Sequence, residues 1–457
     1  MSTVHLPNLP SYGSPVQQTF SRTPSYSAEP GVYEQRLALN ARSLPQATGD
    51  FIKSSKSGDA KLRLSAQEDK IDLPVYGSGG VVEGTVELLK TDNISTVEVK
   101  VAGRLEVKEI AEGGHSDTTL VLDTVLLWMK DSSNPVCPPT LRFSLTLPTT
   151  FEYNGRTFPL PPSHSVKLKG LPGFDATIDY SVSAIINKPH GVPNMVPLVK
   201  SRKLGINIGS TTVSTPFIYY PRTRPAAPLP SPLRRIQGGF LSQPDWRVYE
   251  YLLKATPRSA AQNIVVKFYL PASRIFWASG VIPFHINFES NAFSLAAFLP
   301  SAPSTGSGKP GVTRVQLMRQ SSVDVRGMRQ DVRGPTILGT KTNIWRADRI
   351  GEARFSLAGD GATWTSFSGE ITIEPIKVTG FLSAGLSVQD CILFTVTPPD
   401  VTKAAFVGIR EVVPVRLTTD PWTEDGRGFS AARSSFSVPS SPEEQSILEP
   451  ESFAHAY

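Results

Sequence analysis

The sequence predicts an all-β protein with two tandem antiparallel β-sandwich domains and a disordered tail at each end. Three observations support this prediction: many turn-forming residues, a period-two alternation of apolar and polar residues, and a proline-rich break near the middle. The 457 residues include 40 prolines and 35 glycines, a composition that disfavours long helices. The length suits two folded domains with terminal extensions.

The two ends of the chain differ in composition from the rest. Residues 1–48 are rich in Ser, Pro, Tyr and Thr and show no sustained periodicity. Such a segment cannot bury enough apolar area to offset the entropy lost on ordering, so we expect it to be disordered. Residues 423–457 are rich in Ser, Pro and Glu and are expected to be disordered for the same reason.

The first β domain is predicted over residues 50–215. In 97–107, valine, leucine and Gly103 alternate with charged residues, which predicts a half-buried antiparallel strand. Similar patterns predict strands at 81–89, 119–129, 141–147 and 176–186. Several short strands at this spacing are typical of a sandwich or a barrel.

Residues 216–245 interrupt the alternation. Prolines recur from Pro216 to Pro232, and a central strand is not expected through such a segment because proline lacks the backbone N–H. We therefore predict an interdomain connection, part of it in the extended polyproline conformation.

A second β domain is predicted over residues 246–420. The clearest strand is 281–288, where Ile282, Phe284 and Phe288 fall on one face. Five further strands are predicted at 264–270, 314–318, 369–376, 391–397 and 411–417.

Charge and cysteine content restrict the class of protein. The formal net charge of +6 is small for this length, and a nucleic-acid binder would concentrate its basic residues, so no nucleic-acid partner is expected. Cys137 and Cys391 fall in different predicted domains, which favours a reducing compartment. Because the start lacks a signal-peptide core and no apolar run approaches the ~18–20 residues needed to span a bilayer, we expect a cytoplasmic protein without a transmembrane segment.

Residue patterns typical of catalysis were also sought. The six histidines show no metal-ligand spacing, and the chain has no G-x-S-x-G nucleophile motif. The glycine-rich 306–311 lacks Ser or Thr after Lys309, unlike a phosphate-binding loop. We therefore expect no catalytic residue, metal or cofactor, and an enzyme on an all-β scaffold remains the minor alternative.

Several segments together resemble one known family. The stretch 73–89, with Tyr76 and Gly84, and the following strand through Gly103 resemble the arrestin N-terminal domain. Residues 141–155 and 175–186 are similar to later strands of that domain. Residues 276–290 and 412–419 resemble the opening and closing strands of the arrestin C-terminal domain. Residues 217–225 resemble the interdomain segment of fungal arrestin-related proteins.

The resemblance implies two immunoglobulin-like sandwiches lying side by side. It also implies an adaptor that binds the cytosolic tails of membrane proteins and links them to endocytic or ubiquitination machinery, peripheral to the plasma membrane or endosomes. The alternative is a structural trafficking-coat subunit of a stable complex, comparable to the retromer-type arrestin fold, because a shared fold leaves the function open.

A route to a ubiquitin ligase is suggested by the N-terminal tail. Fungal ligase adaptors of this family usually carry PPxY, which this chain lacks, and the nearest substitutes are Leu9-Pro10-Ser11-Tyr12 and Thr23-Pro24-Ser25-Tyr26. WW domains bind a proline in extended geometry with a nearby aromatic ring. The candidate WW-binding residues are Leu9, Pro10, Tyr12, Pro24 and Tyr26.

Basic residues of the first domain are candidates for binding an acidic or phosphorylated tail, as the resemblance implies. Lys61 and Arg63 share one face of a predicted short strand, opposite Leu62 and Leu64. A second cluster contains Lys200, Arg202 and Lys203. Charge-assisted contacts to phosphate are strong; the alternative is that these are ordinary solvated strand charges.

Overall fold

A computed structural model describes residues 34–37 (backbone only), 49–68, 71–110, 114–188, 210–305, 312–324, 344–398, 400 and 402–424. The described part consists mainly of β-strands. Its helical elements are α1 (Ala292–Phe298) and a single 3-10 turn (Leu299–Ser301). The predicted all-β fold is therefore confirmed.

Strands of the first half begin and end as follows: β1 (Glu34–Leu37), β2 (Gly49–Ser54), β3 (Ala60–Gln67), β4 (Val75–Tyr76), β5 (Val81–Leu88), β6 (Thr96–Ile110), β7 (His115–Met129), β8 (Thr140–Thr146), β9 (Thr150–Tyr153), β10 (Arg156–Pro159), β11 (His164–Leu168), β12 (Gly173–Asn187), β13 (Ser210–Tyr219) and β14 (Arg222–Pro225). The five strands predicted for this half correspond to β5, β6, β7, β8 and β12.

Two sheets of this half enclose one apolar core. One sheet has the strand order β2-β3-β5-β8, and the other has the order β4-β13-β12-β6-β7 with β11 beside β12. The core takes Leu62 and Val86 from the first sheet and Val101 and Tyr180 from the second. Two sheets that bury their inner faces against each other form a β-sandwich.

Close packing explains why Gly103 interrupts the valine alternation of β6. A Cβ atom at this position would lie 2.5 Å from the Tyr180 ring, which is fully buried across the strand pair. Tyr180 in turn donates its hydroxyl hydrogen to the carbonyl oxygen of Pro161 at 2.7 Å. The glycine therefore makes room for a buried tyrosine that fixes the β10–β11 connection.

Strands of the second half are β15 (Arg235–Ile236), β16 (Gly239–Phe240), β17 (Trp246–Leu253), β18 (Ile264–Pro271), β19 (Ile275–Trp277), β20 (Val281–Glu289), β21 (Thr313–Val323), β22 (Ile344–Asp360), β23 (Trp364–Ile373), β24 (Phe381–Leu382), β25 (Leu386–Val396) and β26 (Ile409–Thr418). Most of them form one curled sheet of order β17-β18-β20-β23-β22-β21-β25-β26-β19. A second core contains Phe268, Phe284, Phe288 and Phe394.

Several predicted strand boundaries differ from the structure, and two of the differences involve prolines. The strand predicted at 369–376 is β23, which ends at Ile373 because Pro375 follows. No central strand was expected from Pro216 onward, yet β13 runs through this proline to Tyr219. The N–H of Ile218 points toward β4 and donates to Pro74, so the nitrogen of Pro216 has the same orientation at a position that β4 does not reach. The missing N–H therefore costs no ladder hydrogen bond.

The two halves share buried surface. The core of the first sandwich also includes Val323, Phe381 and Leu386 from the second half. Arg346 on β22 donates to the carbonyl oxygen of Lys167 on β11 at 2.8 Å. The chain between the halves is also pinned, because β14 pairs with β1 and the N–H of Asp420 donates to Thr223 at 3.0 Å.

Candidate functional site

The first candidate site is the outer edge of β2. This strand pairs with β3 on one side and is the last strand of its sheet. Phe51 packs against the core, whereas Ile52 is 48% exposed and Lys53 is exposed. Among the described residues no further strand covers this edge, so its backbone groups can pair with an added strand.

A tight turn holds β2 against β3. Ser55 donates its N–H to Ala60 at 2.8 Å, and its hydroxyl oxygen accepts the N–H of Ala60 at 3.1 Å. Gly58 has a φ of 76°, a left-handed conformation that glycine adopts without strain. The turn thus fixes the register of β2 against β3 from Phe51 to Ser54.

Lys61 and Arg63 lie on β3 with their side chains opposite the buried Leu62 and Leu64, as the sequence predicts. Arg63 has two carboxylate partners: its Nε contacts Glu87 Oε1 at 2.8 Å, and its Nη1 contacts Asp50 Oδ2 at 2.9 Å. These partners raise the pKa of the Arg63 guanidinium, the Glu87 hydrogen bond most of all. Arg63 therefore anchors the outer face of the sheet with its charge already balanced.

Three lysines around the β2–β3 hairpin differ from Arg63. No ion pair is recorded for Lys53, Lys56 or Lys61 among the described residues. Lys53 and Lys56 are exposed and Lys61 is half-buried. Lys53 pairs with the buried Leu62 and so lies on the inner-face side of the edge, whereas Lys61 pairs with Ser54 and lies on the outer face. An extended anionic segment along β2 could therefore meet a lysine on either face. Lys53 and Lys56 were not predicted from the sequence, because the prediction rested on the alternation of β3. The only sequence feature that could have indicated this edge strand and its lysines was the weak alternation of β2.

The remaining predicted site residues lie outside the described part of the chain. They are Lys200, Arg202 and Lys203 of the second basic cluster and Leu9, Pro10, Tyr12, Pro24 and Tyr26 of the WW-binding segments.

A cleft lies where the two halves and their connection meet. It contains about 690 Å³ of space, counting the part that is open to solvent. Its lining includes Pro161 and Tyr219 from the first half, Arg222 from the connection, and Phe381 and Arg416 from the second half. The cleft is mostly apolar, with guanidinium groups from two directions.

Arg222 ties the connection to the end of the second half. Its Nε donates to Asp420 Oδ2 at 2.9 Å, and its Nη2 donates to the other carboxylate oxygen. Thr223 donates its N–H to the Thr419 hydroxyl oxygen at 2.8 Å. A two-point guanidinium–carboxylate pair restricts orientation as well as distance, so this contact holds β14 against the end of β26.

A second guanidinium–carboxylate pair is almost fully buried near the junction. Arg319 on β21 donates to both carboxylate oxygens of Asp390 on β25, at 2.8 and 3.0 Å. Its third contact is to the carbonyl oxygen of Val378, at 2.7 Å. Only 9% of the Arg319 side chain and 1% of the Asp390 side chain are exposed. Buried ions of this kind persist only when they are fully paired.

His164 lies beside this pair, on the first-half side of the junction. Its ring packs edge-on against Phe381, with centroids 5.4 Å apart. Burial, reinforced by the positive charges of Arg319 and Lys377, lowers the pKa of His164 to about 4. The imidazole is therefore neutral at neutral pH and does not add a third positive charge to the junction.

His285 holds the connecting segment onto the second half. Its ring lies between Phe240 and Trp246, with centroids 4.5 and 4.8 Å away. Nδ1 is 2.8 Å from the Ser368 hydroxyl, and Nε2 accepts the N–H of Leu233 at 3.3 Å. Burial lowers its pKa to about 4. It is thus a hydrogen-bonded core histidine.

Cys137 and Cys391 are buried free thiols. No group of three or more His, Cys, Asp or Glu side chains in the described ranges is arranged to hold a metal ion. None of the helices described there has the length and apolarity needed to cross a membrane.

Comparisons with known proteins give no identification. No protein-family model matches the chain. The search of curated proteins likewise finds no match.

Proposed function

We propose that this protein is an arrestin-like adaptor that binds an acidic or phosphorylated segment of a membrane protein's cytosolic tail. The observation that carries the proposal is the uncovered edge of β2, with Lys53, Lys56 and Lys61 beside it and Ile52 exposed. An extended segment would add to the sheet as a further strand. The curled second sheet and its core would form the second domain of a tandem arrestin fold.

Binding at this edge would combine two contributions. Backbone hydrogen bonds to β2 can form with any segment that adopts an extended conformation, and the lysines select for negative charge. Because the three lysines are at least partly exposed, their attraction is screened by salt, with a Debye length of about 8 Å at physiological ionic strength. The adaptor would therefore hold its cargo reversibly at the cytoplasmic face of the plasma membrane or of endosomes.

The test is a binding titration with a defined peptide. A fluorescent twelve-residue peptide of Val and Ser, with three phosphoserines spaced so that phosphates project from both faces of an extended strand, is added to the full chain at low salt. Wild type should bind it at least tenfold more tightly than the unphosphorylated peptide. The double reversal Lys53→Glu, Lys61→Glu should weaken binding of the phosphopeptide at least tenfold, which corresponds to about 1.4 kcal/mol.

The matched control reverses two lysines of the second half, Lys254→Glu and Lys403→Glu, both exposed. This variant has the same net charge as the test variant, so any effect of overall charge is common to the two. Equal weakening in both variants, or no preference for the phosphorylated peptide, would show that β2 is not the binding edge.

We also propose that the N-terminal segments around Tyr12 and Tyr26 recruit a WW-domain protein, with a ubiquitin ligase as the expected partner. Leu9 in place of the first proline of PPxY keeps apolar contact but loses preorganisation, so a single segment should bind weakly, on the order of tens of micromolar. Two segments should bind tethered WW domains more tightly through avidity. Tandem WW domains should capture wild type but not the Tyr12→Ala, Tyr26→Ala variant; equal capture of both would refute the proposal.

A further inference from the structure

The edge strands of the described sheets differ in what they present to solvent. The outward positions of β8 carry Thr140, Arg142 and Ser144, and β17 exposes Arg247 and Glu250 beside a single leucine, Leu252. Charged and polar residues at an edge discourage pairing with another sheet. β7 carries polar residues at its start, from His115 to Thr119, but is mainly apolar from Leu120 to Met129.

β7 presents leucines instead. It is the last strand of its sheet, paired with β6 alone. Leu122 is 61% exposed and Leu126 is 53% exposed, and both lie on the outer face of the sheet together with Thr124. Asp123 is the single charged residue between Thr118 and Met129. An edge this long and this apolar is a template for pairing with another strand.

We propose that β7 pairs antiparallel with the β7 of a second copy, forming a symmetric dimer. The argument is self-complementarity. A twofold axis perpendicular to the sheet keeps outer residues on the outer face, so each outer position must face another outer position. With the axis at Thr124, Leu122 lies opposite Leu126 of the other copy, and Leu126 lies opposite the other Leu122. Both exposed leucines are thereby paired in a single register.

Other registers leave at least one of the two exposed leucines without an apolar partner. An axis at Leu122 places that leucine against itself and Leu126 against Thr118, which the β-bulge at Leu120 turns to the inner face. An axis at Leu126 places Leu122 against Lys130. In the Thr124 register the two copies of Asp123 lie diagonally rather than opposite each other, and their side chains are exposed. Directly opposed apolar pairs stabilise an antiparallel sheet, and directly opposed like charges destabilise it.

The interface would be small, because one strand edge and a few side chains form it. Interfaces below about 1,200 Å² are typical of weak or transient association. The dimer is therefore expected at tens of micromolar protein and should dissociate on dilution.

Two double variants test both the dimer and its register. In Leu122→Lys, Leu126→Lys, like charges face each other across the axis. In Leu122→Lys, Leu126→Glu, opposite charges do. Both change the same exposed positions, so they impose a similar burden on the monomer. Sedimentation velocity at tens of micromolar should show a wild-type dimer, a dissociation constant at least tenfold higher for the first variant, and a retained dimer for the second.

A cross-linking experiment provides an independent readout. Thr124→Cys places two thiols at the axis, where opposed Cα atoms of an antiparallel pair are about 4.5–5.5 Å apart, within reach of a disulfide. Thr119→Cys, also exposed on β7, places its thiols about 30 Å apart in this register. Rapid oxidation to a covalent dimer is expected for the first variant and not for the second. A monomeric wild type, a Lys/Lys dimer as stable as wild type, or equal cross-linking at both positions would overturn the proposal.

Discussion

Replacing Asp390 with alanine is expected to lower the free energy of unfolding by about 3–5 kcal/mol. The substitution leaves the Arg319 guanidinium charged and almost fully enclosed, with the carbonyl oxygen of Val378 as its remaining recorded contact. The loss comes mainly from that uncompensated charge rather than from the missing attraction. Urea unfolding followed by circular dichroism measures it.

A paired substitution separates these two causes. Arg319→Met together with Asp390→Leu removes both charges and retains apolar volume, so it should recover most of the stability lost by Asp390→Ala. The control is Asp117→Ala, which removes an exposed partner 3.8 Å from Arg104 and should change stability by no more than about 0.5 kcal/mol. A loss below about 1 kcal/mol for Asp390→Ala would mean that Arg319 finds other partners or water.

Acidification is expected to destabilise the protein through its two buried histidines. His164 and His285 have pKa values of about 4 in the folded chain and about 6.5 when unfolded. Because the folded pKa lies below the unfolded one, the unfolded state takes up the proton first as the pH falls. The free energy of unfolding is therefore unaffected by these histidines above about pH 6.5 and declines as the pH falls from about 6.5 to 4. The total decline is roughly 3 kcal/mol for His285.

The histidine contribution is isolated by comparing variants. His285→Gln should lower stability at pH 7, since Leu233 and Ser368 lose the ring that they contact, and it should flatten the decline between pH 6.5 and 4. If the His285→Gln slope equals that of wild type over this range, burial of His285 does not govern acid sensitivity.

The period-two alternation predicted most of the strands because each of them buries one face against a hydrophobic core. β6 and β12 alternate between buried and partly exposed positions closely enough to be recognised from sequence. β20 was recognised from its apolar face alone, because His285 and Asn287 on its other face are buried as well. Pro216 was misjudged because the effect of a proline depends on which neighbouring strand its nitrogen faces, and that is a tertiary property. The buried pair of Arg319 and Asp390 is 71 residues apart along the chain, and nothing local links the two.

The candidate binding edge was only partly predictable for a similar reason. The alternation of β3 placed Lys61 and Arg63 correctly on one face. Neutralisation of Arg63 by Asp50 and Glu87 depends on the order of three strands in the sheet. Lys53 is a candidate binding residue only because β2 is the last strand of its sheet. The order of strands in a sheet cannot be read from a local sequence pattern.

Backbone hydrogen exchange measured with and without the phosphoserine peptide tests the proposed binding edge most directly. Strand addition should slow exchange of amides in Gly49–Ser54, because backbone N–H groups that face solvent along β2 would gain carbonyl partners. The amides of β8, the opposite edge of the same sheet, should be unaffected. Protection of β8 or of the junction cleft, with β2 unchanged at a saturating peptide concentration, would contradict the assignment of β2 as the tail-binding edge.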